Sequence, residues 1–225
     1  MRNINQDFIN DLLQGKLAFF LEQVKTNKEL CLEIRDEYIS IYYRGGSLLK
    51  IEQKKGYRFS FDSKYCLNKN DDTNYETISS LAATDMDAYK NIFNMLISEM
   101  NSWFAVNPKP EREFQHNLLI SNACIIDIEY QVKKNYRLDM IMYIDNKIVI
   151  VENKFGGGAI TGKSGIAKHY RDICNILSDV QLKEELEKSV VSIIKAKRNL
   201  GLLNIEVNEE DIRGIEVLFI LNSLK

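Results

Sequence analysis

The stretch Tyr136-Arg-Leu-Asp-Met-Ile-Met-Tyr-Ile-Asp-Asn-Lys-Ile-Val-Ile-Val-Glu-Asn-Lys154 decides how this chain is read. Two runs of apolar, β-prone residues flank Asp145-Asn146, a pair suited to a two-residue hairpin turn. With that turn, the register places Asp139 directly opposite Glu152. The runs Leu138 to Met142 and Ile148 to Val151 are apolar on both faces, which predicts buried strands.

Directly opposed side chains share a face, with Cβ atoms about 5 Å apart, and two carboxylates so placed repel one another. A divalent cation held between them relieves the repulsion, and hard oxygen ligands with water suit magnesium. Lys154 lies two residues beyond Glu152 and therefore on the same face. Arg137 would lie opposite Lys154. This set of Arg137, Asp139, Glu152 and Lys154 fits metal-assisted phosphodiester hydrolysis. The metal polarises a phosphate oxygen and acidifies a bound water, while the lysine orients the water or stabilises transition-state charge.

Outward from the hairpin, the patterning predicts a helix over 111–123, a strand over 125–132, the two hairpin strands, and a glycine-rich loop at 156–165. Helices over 165–178 and 181–199 and a last strand over 215–221 follow, giving the order α, β, β, β, α, α, β. Asp139 with Glu152-Asn153-Lys154 at the end of an apolar strand resembles the PD-(D/E)XK nuclease superfamily. The similarity covers residues 110 to 221. It implies an α/β, restriction-endonuclease-like mixed sheet flanked by helices. It also implies that Asp139 and Glu152 are metal ligands, that the Asn153 carbonyl completes the protein's share, and that Lys154 is the catalytic lysine. Many members place an acidic residue on the preceding helix, where Glu113 matches best and Glu111 less well. Members often carry Gln-x-x-x-Tyr on the following helix. Tyr170 fits the tyrosine, but Ile166 stands at the glutamine position, leaving Lys168 and His169 as the nearby polar groups.

A rival motif follows at once. Gly157-Gly-Ala-Ile-Thr-Gly-Lys163-Ser164 satisfies the P-loop pattern between a strand and a helix. Too little chain follows for the parallel sheet such a domain needs, and no downstream apolar run ends in aspartate. The preferred reading is a loop over the site with Lys163 on a nucleic-acid backbone. His116 reads as structural, and Trp103 reads as packing.

Before Pro108 and Pro110 the patterning differs. A single helix is predicted over 5–26, a second over 28–36, and a three-stranded meander over 38–61. A loop is predicted over 68–83 and a helix over 85–104. From Arg44 to Lys69 basic residues alternate with Tyr42, Tyr43, Tyr57, Phe59 and Tyr65 around the meander, a composition that can track phosphates and stack on bases. The chain is therefore divided into an N-terminal helical and β-meander extension, 1–107, and a nuclease-like core, 108–225.

The whole chain of 225 residues has 45% hydrophobic and 28% charged side chains, which excludes disorder and rod-like repeats. With 30 basic and 32 acidic residues, the net charge of −2 gives no global nucleic-acid signature, so an anionic partner must meet a local patch. Four scattered cysteines and two histidines make a zinc site improbable and fit reduced, mostly buried thiols. No stretch reads as a signal peptide or membrane span. The expectation is a cytoplasmic, magnesium-dependent nuclease, with manganese as substitute, acting on DNA ahead of RNA. Arg137, Lys163, Lys168 and Tyr170 are its candidate nucleic-acid contacts. A homodimer is compatible, as is a non-catalytic binding module on the same fold.

Overall fold

The computed structural model describes residues 2–70, 72–132, 136–155 and 165–222. The chain forms two compact units, Ile4–Arg112 and Glu113–Lys225, the latter joined by the first three residues of the chain. The division at 112/113 lies five residues beyond the expected 107/108.

The N-terminal unit begins with α1 (Gln6–Leu13) and α2 (Ala18–Thr26), not one helix. Asn5 caps α1 by accepting from Phe8 N. The chain then breaks at Gly15, where an added Cβ would clash with Asp11, and Leu17 N returns to the Asp11 carbonyl. Phe8, Leu12, Leu17 and Phe20 stay on one buried stripe across the break, which is why the periodicity looked continuous.

The expected helix over 28–36 is instead strand β1 (Leu30–Ile34), with Leu30, Leu32 and Ile34 all buried. It pairs antiparallel with β2 (Tyr38–Tyr43), which continues into β3 (Gly46–Gln53) and β4 (Tyr57–Ser60), making four strands in sequential order. Arg44 and Gly45, at φ 48° and 73°, form the two-residue turn between β2 and β3.

The expected loop contains α3 (Thr73–Ser80), capped by Asp72. Only Ile78 of this helix is buried, so it carries no apolar period. α4 (Met86–Asn91) and α5 (Phe93–Val106) replace the single expected helix, dividing at Ile92. An aromatic core joins these elements. Phe20 packs on Phe59 and Phe93, Phe59 stacks on Tyr89, and Trp103 meets Tyr65 edge-on.

The C-terminal unit follows the expected order closely. α6 (Pro110–Ser121) leads into β5 (Ile125–Val132), β6 (Tyr136–Ile144) and β7 (Lys147–Phe155), then α7 (Ile166–Ser178), α8 (Val180–Asn199) and β8 (Gly214–Asn222). The sheet order is β5-β6-β7-β8, antiparallel through β7, with β8 parallel to β7. The molecule is thus mixed α/β with two four-stranded sheets among its described residues.

Two buried cations tie the sheet to its surroundings. Lys197 of α8 donates to the Ile126 carbonyl at 2.7 Å. Arg2 pairs with the fully buried Asp127 at 3.3 Å, donates to the Gln131 carbonyl, and lies 3.9 Å over the Tyr130 ring. Its backbone N–H donates to Ser189 of α8.

All four cysteines are free thiols, but only Cys66 is buried and Cys174 is exposed. No helix among the described residues is long and apolar enough to cross a membrane.

Candidate active site

The site grows out of the β6–β7 hairpin. Asp145 and Asn146 adopt φ of 50° and 62°, the conformation a type I′ turn requires. From Ile144 opposite Lys147 the ladder runs back to Met140 opposite Val151, which makes Asp139 and Glu152 the next facing pair. There side chains take over the pairing. Asp139 N donates to Glu152 Oε1 at 3.4 Å, and Asn153 N donates to Asp139 Oδ2 at 2.9 Å.

Lys154 closes the group. Its ammonium lies 3.4 Å from Asp139 Oδ2, 3.3 Å from Glu152 Oε2 and 3.1 Å from the Asn153 carbonyl oxygen. The lysine is 6% exposed and Glu152 is fully buried. Three oxygens from three consecutive roles of the expected motif therefore converge on a single positive charge.

The electrostatics are uneven. Burial, then the neighbouring Glu152 charge, push the Asp139 carboxyl up to about 6, against the opposing pull of Lys154 and the Asn153 N–H. Burial also works against ionised Glu152, but the hydrogen bond and charge of His169, followed by those of Lys154, outweigh it and hold Glu152 below the usual carboxylate range. His169 Nδ1 lies 2.7 Å from Glu152 Oε2, delivered by the first turn of α7.

The described residues contain no group of three or more His, Cys, Asp or Glu side chains arranged to hold a metal. The donor set is instead two carboxylates and one peptide carbonyl. All are hard oxygens already gathered around a cation, which fits a magnesium ion that keeps several waters. The residues present therefore suit the ion that the motif implies.

The other expected residues are distributed differently. Glu113 is exposed on the first turns of α6, and the α6 residue that reaches the site is Gln115. Gln115 is 5% exposed and donates to the Asp139 carbonyl at 2.5 Å. Helical geometry sets Glu113, two residues earlier, about 200° away around the axis. Arg137 is exposed and pairs with Glu129 of β5 at 3.1 Å. Lys168 pairs with Asp172 one turn along α7, and Tyr170 is 55% exposed, near Phe219 of β8. Lys163 and the rest of the P-loop-like motif lie outside the described residues.

Three contributors were missed or underweighted from sequence. Gln115 was hidden because glutamine two positions from a glutamate attracts no notice. Glu129 falls opposite Asp139, between the pairs Ile128–Met140 and Tyr130–Leu138, and holds an unusual φ of 52° within its strand. Its charge also raises Asp139. His169 was visible only as a polar neighbour of Tyr170.

Most rings of the basic and aromatic stretch in the N-terminal unit are turned inward. Tyr43, Phe59 and Tyr65 are buried in the core, and Tyr57 donates to Asp11 and packs on Phe8. Lys50 and Lys64 are paired with Glu52 and Asp62. Compared with known proteins, the chain matches no family model, no curated protein and no solved structure.

Proposed function

We propose that the C-terminal unit is a metal-dependent nuclease that hydrolyses phosphodiester bonds, with magnesium as its ion, manganese as a substitute, and DNA ahead of RNA as substrate. The observation that carries this reading is the convergence of Asp139, Glu152 and the Asn153 carbonyl on the Lys154 ammonium. Three antiparallel strands followed by a parallel fourth, with helices before and after, support a restriction-endonuclease-like core. Free thiols support a reducing, cytoplasmic setting.

Asp139, Glu152 and the Asn153 carbonyl would hold the ion. When bound, it would supply Lewis-acid polarisation of a phosphate oxygen and an acidified water. Lys154 would turn from the carboxylates toward the phosphate or the attacking water, where its charge stabilises the transition state. His169 keeps Glu152 oriented, and Gln115 fixes the Asp139 backbone. Arg137, at the exposed rim two residues from Asp139, would exchange its ion pair with Glu129 for a phosphate.

Calorimetric titration with magnesium and manganese, comparing wild type with Asp139→Ala and Glu152→Ala, tests the site. Cleavage assays on DNA and RNA follow. Binding and cleavage lost in both variants are the expected result. Metal binding that survives both substitutions would remove the basis of the proposal and favour a non-catalytic binding module.

A further inference from the structure

The N-terminal unit contains a pocket of about 320 Å³ between β4, the turn after it, α3 and α4. That volume is at the lower end for small-molecule sites. Aromatic rings line it: half-buried Phe61 from the turn after β4 and Tyr75 from α3 face the opening, and buried Phe59 and Tyr89 form the floor. Phe59 and Tyr89 stack with centroids 5.3 Å apart. No acidic residue among the described residues lines the pocket.

Among the described residues Arg58 is the only lining cation, and it is exposed. It faces Glu52 across β3 and β4, but Glu52 is held by Lys50 at 2.8 Å. Among the described residues no hydrogen bond or ion pair engages the Arg58 guanidinium, the Ser60 or Ser63 hydroxyls, or the Tyr75 or Tyr89 hydroxyls. Arg58 and Ser60 are two apart on β4 and so share a face. Ser63 opens the short 3-10 turn that follows. One planar cationic fork and two serine hydroxyls suit the several acceptor oxygens of a phosphate, and aromatic walls suit a flat ring.

We propose that this pocket binds a nucleoside monophosphate, with the base against Phe61 and Tyr75 and the phosphate on Arg58, Ser60 and Ser63. The site is built wholly within the N-terminal unit and does not depend on the nuclease reading. It also gives a function to the basic stretch between Arg44 and Lys69, whose aromatic residues are largely core.

The test is calorimetric titration of the full chain, in the presence of a metal chelator, with adenosine monophosphate, adenosine and inorganic phosphate as separate probes. The monophosphate should bind, and adenosine and phosphate should each bind at least about tenfold more weakly. Arg58→Ala should weaken the monophosphate by about tenfold or more, the size expected for a hydrogen bond to a charged group. Glu152→Ala should leave that affinity unchanged. Arg58 is exposed and unengaged, so its substitution should not disturb folding, and unchanged thermal unfolding verifies this. Ser63→Ala, which removes one hydroxyl, is expected to weaken binding a few-fold. The proposal is overturned if the monophosphate does not bind, if phosphate alone binds as tightly, or if Arg58→Ala changes nothing. Loss of binding in Glu152→Ala would equally overturn it by moving the ligand to the other unit.

Discussion

Substituting Lys154 by methionine should lower cleavage and raise metal affinity. The ammonium stands where a cation would be held, within 3.1–3.4 Å of all three expected ligand oxygens. At those separations each carboxylate attracts it by about 5 kcal/mol with an effective dielectric near 20. Desolvation of a lysine that is almost fully buried cancels most of that, leaving a net interaction of about 1–3 kcal/mol. An incoming ion must displace the lysine and forgo that amount. Lys154→Met, similar in length but uncharged, should therefore bind manganese about 10- to 100-fold more tightly by calorimetry. The metal-free variant should be destabilised by about 3 kcal/mol, because Glu152 stays buried without its lysine. Added metal should restore more melting temperature to the variant than to wild type. Lys154→Arg, which keeps the charge, should show no gain in affinity. If Lys154→Met is folded by circular dichroism yet binds manganese no better than wild type, the lysine does not compete for the ion's place and the reasoning fails.

Asp139, raised from 3.8 to about 6, binds a proton more readily in the metal-free fold than in the unfolded chain. Its contribution therefore turns unfavourable as pH rises from about 4 through 6, by at most about 3 kcal/mol. Denaturant titrations across that range should show wild type losing stability relative to Asp139→Asn, and parallel curves would contradict the assignment. His169→Ala should weaken metal binding about 10- to 100-fold by loosening Glu152, and His169→Gln, which can still donate, should recover part of it. Equal affinity in all three proteins would show that the 2.7 Å contact does not orient the ligand. Arg2→Ala should cost about 1.5–3 kcal/mol in chemical unfolding, because buried Asp127 loses a charged hydrogen-bond donor and the Gln131 carbonyl loses its own. A loss below about 1 kcal/mol would show that the amino-terminal tether is not structural.

The hairpin was legible because its information is local. A two-residue turn, two short apolar runs and strict alternation fix which side chains face one another, and Asp139 and Glu152 follow from counting. The order of elements after Pro110 was legible for the same reason. What failed was any reading that needed a third dimension. A 3.6-residue stripe through Phe8, Leu12, Leu17 and Phe20 is compatible with one helix or two, and only the close approach of Gly15 to Asp11 decides. Leu30, Leu32 and Ile34 alternate, but two turns of helix would also have accommodated them. α3 carries almost no apolar pattern because it buries a single side chain. At the site, Gln115 and His169 come from helices packed on the sheet, and no local period could report their distance from Asp139 and Glu152. The tyrosines of the meander looked like a platform because composition does not reveal which face of a sheet is inside.

The C-terminal unit holds two buried ionic groups in one sheet, and the contrast between them argues for the functional reading. Asp127 pairs with the Arg2 guanidinium, which is further occupied by a carbonyl and an aromatic face, so the arginine's donors are used. This is how a buried pair behaves when it serves the fold. Asp139 and Glu152 share one lysine, His169 adds a contact to Glu152 only, and Glu129 is close enough to raise Asp139 further. His169 serves Glu152 alone, and Asp139, raised to about 6 by burial and the Glu152 charge, stays ionised near neutral pH only against that penalty. Apolar residues of similar volume would fill those positions at equal or lower free energy. A fold under selection for stability alone has no reason to keep the imbalance, whereas a site that receives a further divalent cation requires it.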